Sequence, residues 1–201
     1  MYLRNSHTVA ATLLIAISPA TASRPCTQFS PSPVPVQHLS AYFLPQYGLH
    51  ATALLDIEAI RHTLALYPYI IDGRDFPSLS SVFTADAIAN YSVPIGVVNG
   101  LSAIESTLGA ALASFLGTQH LLGSQSVRIC DRNSAISVSY YRAVHFLPQN
   151  KTTGPGDVVT GDAVLYAYGQ YQDSWEKRHG RWKINYRNLV YMVGDAWDPV
   201  S

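Results

Sequence analysis

Two histidines and a carboxylate define the chemistry this chain could do. His120 ends the string Thr118-Gln119-His120, His145 ends Arg142-Ala143-Val144-His145, and Asp72 opens the acidic turn Asp72-Gly73-Arg74-Asp75. Histidine is the side chain whose unperturbed pKa, about 6.5, lets it take or give a proton near neutrality. A buried carboxylate beside an imidazole raises the pKa of that imidazole and fixes its tautomer. If the three groups converge, they form an acid/base site that needs no metal. If they scatter, the chain is one more secreted globular domain. His38, His50, His62 and His179 carry no comparable expectation, falling in an N-terminal arm, on a helix and in a turn.

Neither a metal nor a cofactor is expected. Two histidines and an aspartate are chemically able to hold zinc, but no ligand spacing such as His-Glu-x-x-His appears. There is no glycine-rich phosphate loop and no Gly-x-Ser-x-Gly elbow. Charged residues make up 13% of the 201 residues, about half the usual roughly 25%, and the formal net charge is zero. With no basic patch or acidic tail, the composition argues against nucleic acid and other polyanionic partners.

The elements that must position these groups are readable in outline. Residues 1–22 have the form of a secretory leader: Arg4, an apolar run from Val9 to Ile17, and Ala20-Thr21-Ala22 as a cleavage site. The run is too short for a comfortable membrane span, so no membrane association is expected after its removal, and the protein is expected in the secreted or endomembrane-lumen space. Residues 23–50 are rich in proline and read as an arm without regular structure, wrapped over the surface of a domain spanning 51–201. Cys26 and Cys130 are the only cysteines, so one intramolecular disulfide can form; the other reading leaves Cys130 a buried thiol and Cys26 free. Asn90-Tyr-Ser92 and Asn150-Lys-Thr152 are glycosylation sequons usable in that compartment.

A helix is expected from Thr52 or Ala53, ended or kinked at Pro68, which cannot donate to the carbonyl of Leu64. A short helix opened by Pro77 follows, with Asp75 better placed than Asp72 to cap it. Alternation around Ala87–Tyr91 gives a strand that sends Tyr91 inward and Asn90 outward. Ser102-Ala-Ile-Glu105 reads as a capping box starting a helix to about Leu116, closed by Gly117. Strands follow at about 123–129, 135–146, 163–177 and 182–193. Arg142 and Arg187 are expected to point outward from them into solvent. Helices first and long strands afterwards imply an α+β fold, a curved antiparallel sheet around N-terminal helices with a cavity between.

These elements and motifs resemble the SnoaL-like branch of the NTF2-like superfamily, most closely the fungal scytalone dehydratase type. The resemblance runs from about Leu54 to Trp197. It rests on Asp72-Gly-Arg-Asp75-Phe76, Phe83-Thr-Ala-Asp86-Ala87, Tyr91, Thr118-Gln-His120-Leu-Leu-Gly123, Arg142-Ala-Val-His145, and Trp175-Glu-Lys before Gly180-Arg-Trp182-Lys183. It implies an NTF2-like cone whose metal-free site contains Asp72, His120, His145 and a water-holding Tyr91. A second tyrosine of the pattern is replaced by Ile71, for which Tyr67 or Tyr69 can substitute. Two short polar residues on the penultimate strand are replaced by Gln170 and Gln172, which become the expected substrate contacts. Within this frame Asp72 is expected to pair with His145 as the general acid/base, His120 facing them. The implied activity is a cofactor-independent dehydratase, cyclase or isomerase on a small apolar or aromatic, polyketide- or terpenoid-like molecule, by a homodimer or homotrimer. The alternative is a non-catalytic carrier using the same cavity.

Overall fold

The computed structural model describes residues 26–44, 50–148 and 163–192. The expected leader, the second sequon at Asn150 and the end of the chain lie outside them. A 3-10 turn, Val36–His38, and a one-turn helix α1, Leu39–Tyr42, come first. Helix α2 spans Ala51–Asp72, a 3-10 segment Phe76–Ser81 follows, and strands β1, Phe83–Asn90, and β2, Val97–Asn99, precede helix α3, Leu101–Leu112. Four long strands follow: β3 Gly117–Ile129, β4 Ser134–Phe146, β5 Val164–Arg178 and β6 Arg181–Tyr191. No helix among the described residues is long and apolar enough to cross a membrane.

The six strands form one curved, unclosed sheet in the order β2-β1-β6-β5-β4-β3. All pairs are antiparallel except β1 with β6, which run parallel, so the sheet is mixed. The last of the described strands, β6, therefore lies inside the sheet, between β1 and the β3–β5 meander. On the inner face α2 buries Ile60, Leu64, Tyr67 and Ile71, one helical stripe, and α3 buries Ile104, Leu108 and Leu112. These pack with Ala87, Ala89, Tyr141, Tyr171 and Trp175 from the strands into one core.

Several local expectations are corrected. Pro68 does not end α2; it is buried inside the helix, which runs one further turn to Asp72 because that turn's apolar residues are held against the core. The capping box does not form: Gly100, at φ 86°, is the N-cap of α3, and Ser102 lies inside the helix with no side-chain cap bond. That helix stops at Leu112 rather than Leu116. Gly117 does not close it but begins β3, so Thr118-Gln119-His120 is strand from its first residue. Asp75 is the residue before the 3-10 segment, yet its carboxylate accepts from the Ser78 hydroxyl rather than from a backbone N–H.

The arm contains two helical turns, contrary to its proline-rich reading, and it covers one half of the sheet's outer face. Phe29 and Leu39 pack on Ile136 and Val138, and Cys26 is bonded to Cys130. Phe29 N–H donates to Ser174 Oγ at 3.0 Å, and the Asn188 amide donates to the Phe29 carbonyl at 3.1 Å. On the other half Leu121, Tyr140, Tyr166 and Tyr168 remain exposed.

Candidate active site

Asp72 is the last residue of α2, and His120 is the fourth of β3. His120 Nδ1 lies 2.7 Å from Asp72 Oδ1, and the His120 backbone N–H donates to Asp72 Oδ2 at 2.8 Å. Thr118, two residues earlier and on the same face of β3, donates its hydroxyl to Oδ1 at 2.8 Å. Arg74 completes the frame. In the turn after α2, with φ 60°, it sends Nη1 to the Ile71 carbonyl at 2.8 Å and to Thr118 Oγ1 at 2.9 Å. Burial pushes the Asp72 carboxyl up, but the three hydrogen bonds from His120 and Thr118 outweigh it and hold it below its ordinary value. The carboxylate is thus ionised and fixed, and it holds Nδ1–H of His120. In the tautomer that donates Nδ1–H to this carboxylate, Nε2 is the basic nitrogen, and the ring lines the cavity.

His145 sits beside this pair, not in it. The expected Asp72–His145 pairing is corrected: β3 and β4 are registered with Thr118 opposite His145 and His120 opposite Ala143, which brings His120 to the carboxylate. The imidazoles of His120 and His145 meet edge to face, centroids 5.5 Å apart at 85°. His145 Nδ1 is buried without a hydrogen-bond partner among the described residues. Burial, and then the charge of His120, depress the His145 pKa, so the ring is neutral at neutral pH.

Five tyrosines wall the cavity: Tyr67, Tyr91, Tyr141, Tyr171 and Tyr191. Ile71, Leu108 and Leu112 close it from the helices. Its volume is about 80 Å³. Tyr91, one residue past the end of β1, is 1% exposed, and its Oη has no hydrogen-bond partner among the described residues, although the Tyr67 hydroxyl is close enough to affect its ionisation. Burial raises the pKa of Tyr91 well above its usual value, so it remains a hydrogen-bond donor. Tyr141 and Tyr171 stack at 4.5 Å and 14°. Gly169 makes room for this: a side chain there would collide with the Val190 carbonyl and the Tyr141 ring.

Beneath the tyrosines lies a buried ion pair. Arg187 is 0% exposed, which corrects the expectation of a solvated strand residue. Its Nε and Nη2 donate to the two carboxylate oxygens of Asp173 at 2.7 and 2.8 Å, and the guanidinium lies 4.2 Å from both the Tyr67 and the Tyr171 ring centroids. Although burial disfavours its charge, the Asp173 carboxylate holds Arg187 protonated. Arg142, by contrast, is exposed.

The expected substrate contacts divide. Tyr67 reaches the cavity, whereas Tyr69 is 75% exposed on the far side of α2, two residues and about 200° around the helix. Gln170 and Gln172 are excluded by strand parity. Tyr171 and Asp173 take the inner face, so the glutamines face the arm, where Gln172 donates to the Val34 carbonyl and accepts from its N–H. Gln170 Oε1 accepts from Gln172 at 3.3 Å. Asn90 donates to Asn188 Oδ1 at 3.2 Å and accepts from Ser92 N–H, so its amide is engaged within the fold. Residues that sequence reasoning gave no role are Arg74, Tyr141, Tyr171, Tyr191 and the Asp173–Arg187 pair. Tyr141 was within reach, lying four residues before His145 and so on its face. Among the described residues no group of three or more His, Cys, Asp or Glu converges as a metal site.

Residues 52–188 match the model of the SnoaL-like domain. The chain belongs to the SnoaL-like family. An uncharacterized protein of Mycobacterium tuberculosis is 30% identical over 138 residues, covering 68% of this chain and 85% of that protein. A crystal structure from Novosphingobium aromaticivorans, provisionally named a scytalone dehydratase, superposes with a TM-score of 0.60 at 23% identity over 75% of this chain and 93% of that one. A hexachlorocyclohexane dehydrochlorinase, LinA type 2, gives 0.57 at 18% identity over 73% and 95%. At these identities the two structures show the shared NTF2-like fold.

Proposed function

We propose that this SnoaL-like protein is a cofactor-independent lyase or isomerase acting on a small polyketide- or terpenoid-like molecule. Dehydration of a β-hydroxy carbonyl compound is the first choice, with cyclisation or double-bond isomerisation beside it. The observation that carries this reading is the 2.7 Å contact of His120 Nδ1 with Asp72 inside a cavity of tyrosines. In the dehydration, His120 Nε2 takes the proton from the carbon next to the carbonyl, and the carbon–hydrogen pair becomes an enolate. Asp72 stabilises the imidazolium that results. Tyr91 donates its hydroxyl to the enolate oxygen. When the carbonyl re-forms, the carbon–oxygen bond of the β-hydroxyl breaks and the departing oxygen takes the proton from His120. The products are the enone and water, and His120 is neutral again.

The neighbours' names, a dehydratase and a dehydrochlorinase, both denote eliminations, which agrees with this reading. The Cys26–Cys130 bond agrees with an oxidising compartment, as a secreted protein would occupy. The test is turnover of a panel of β-hydroxy ketones, followed by the enone's ultraviolet absorbance. His120→Gln is expected to reduce the rate by about 10²- to 10⁴-fold, the usual worth of one positioned acid/base group. A protein that binds members of the panel equally well with and without His120, and converts none, is a carrier instead.

A further inference from the structure

We infer that the substrate of this site spans two compartments, with a small polar head in the cavity at His120 and a flat, uncharged aromatic tail in the vestibule just outside it. The inference rests on the proposed function for the identity of the head. The cavity is about 80 Å³, room for a head group of a few heavy atoms and well below the roughly 300–1,000 Å³ of ordinary ligand pockets. The vestibule beside it is about 550 Å³, within that range, and Pro94, Ala111, Phe115 and Leu165 are among its walls.

The two spaces are contiguous, because His145, Tyr191 and two aliphatic side chains wall both. His145 is the partition. Toward the cavity its ring meets His120, and toward the vestibule it packs on Phe115 with centroids 4.6 Å apart at 49°. A molecule reaching His120 through the vestibule must pass along this imidazole.

The chemistry of the tail follows from the walls. Among the described residues no aspartate, glutamate, lysine or arginine lines the vestibule, so none of them compensates a charged tail. Leu165 is 51% exposed, and Phe115 is only partly buried. Apolar surface that stands open to water at the mouth of a reactive cavity gains by being covered. The Phe115 and His145 rings offer faces and edges to a planar aromatic group.

The test compares two unreactive probes with the same head, phenol and 4-phenylphenol, by isothermal titration calorimetry on the full chain. The wild-type protein is expected to bind 4-phenylphenol at least tenfold more tightly. Ala111→Phe, which fills the vestibule from α3, and Leu165→Gln, which makes its floor polar, should each erase that preference while leaving phenol within about twofold. Equal affinity of the probes for the wild-type protein overturns the inference. So does a folded variant of either kind that weakens both probes alike or neither. Since neither probe reacts, the result is separable from catalysis: a clear preference lost in the variants, together with full turnover by His120→Gln, leaves the vestibule standing and removes the proposed reaction.

Discussion

Asp72 and His120, 48 residues apart in the chain, are joined twice, by the imidazole Nδ1 at 2.7 Å and by the backbone N–H at 2.8 Å. The second contact matters as much as the first. A side chain held only through its own ring can swing, whereas the bond to the strand's backbone fixes the carboxylate relative to β3 before the imidazole engages. Asp72→Asn keeps the shape but not the charge, and its amide can present a donor to Nδ1 and favour the wrong tautomer. We expect kcat/KM to fall by about 10²- to 10⁴-fold with a nearly unchanged circular dichroism spectrum, measured on the best ketone of the panel.

Thr118→Val removes the hydroxyl that joins Arg74 to Asp72. The half-buried carboxylate then loses one of three donors and Arg74 Nη1 one acceptor. A cost of about 1–3 kcal/mol at pH 7 is expected from urea unfolding. Because the folded-state pKa of Asp72 is depressed, its contribution is present above the unfolded value of about 3.9 and lost as pH falls through the folded value. The difference between wild type and variant should therefore shrink below about pH 4.

His145 adds a second acid slope, at higher pH. Its pKa is lowered by burial and by His120, so below about pH 6.5 the unfolded chain binds a proton that the folded chain refuses. Stability should be complete above that value and decline as pH falls below it toward 5. His145→Gln should flatten this part of the curve, read as the urea midpoint against pH.

Asp173→Asn leaves the Arg187 guanidinium charged, fully buried and short of its carboxylate. A loss of about 3–5 kcal/mol is expected. The double replacement Asp173→Leu with Arg187→Met should recover much of it, since burying neither charge avoids the desolvation cost. Recovery no better than the single variant would show that the guanidinium's contacts with Tyr67 and Tyr171 matter more than its charge.

Much of this architecture was legible in the chain. The strands announced themselves by alternation and by tyrosine, valine and isoleucine content, and the motif histidines do line one cavity. Parity was the weak point. Tyr171 and Gln172 are one residue apart, and only the register of β5 against β4 decides which of them faces the helices. The choice of His120 over His145 for Asp72 is likewise a matter of register between β3 and β4, which no local pattern encodes. Pro68 does not end α2 because packing of Ile70 and Ile71 outweighs one missing backbone bond. Arg187 reads as a solvated strand residue because its carboxylate, Asp173, lies on another strand.

The parallel pairing of β1 with β6 bears on how the protein comes into being. The segment carrying Arg187 and Tyr191 is made after the other five described strands, yet it must slot between β5, made just before it, and β1, the first of them. Until it arrives, β1 and β5 each present an open ladder, and Asp173 has no counterion. A chain lacking that segment thus has neither the complete pocket nor a continuous sheet, and its unpaired edges are surfaces for association with other chains. Loss of the β6 segment, Arg181–Tyr191, would consequently register as insolubility before it registered as inactivity.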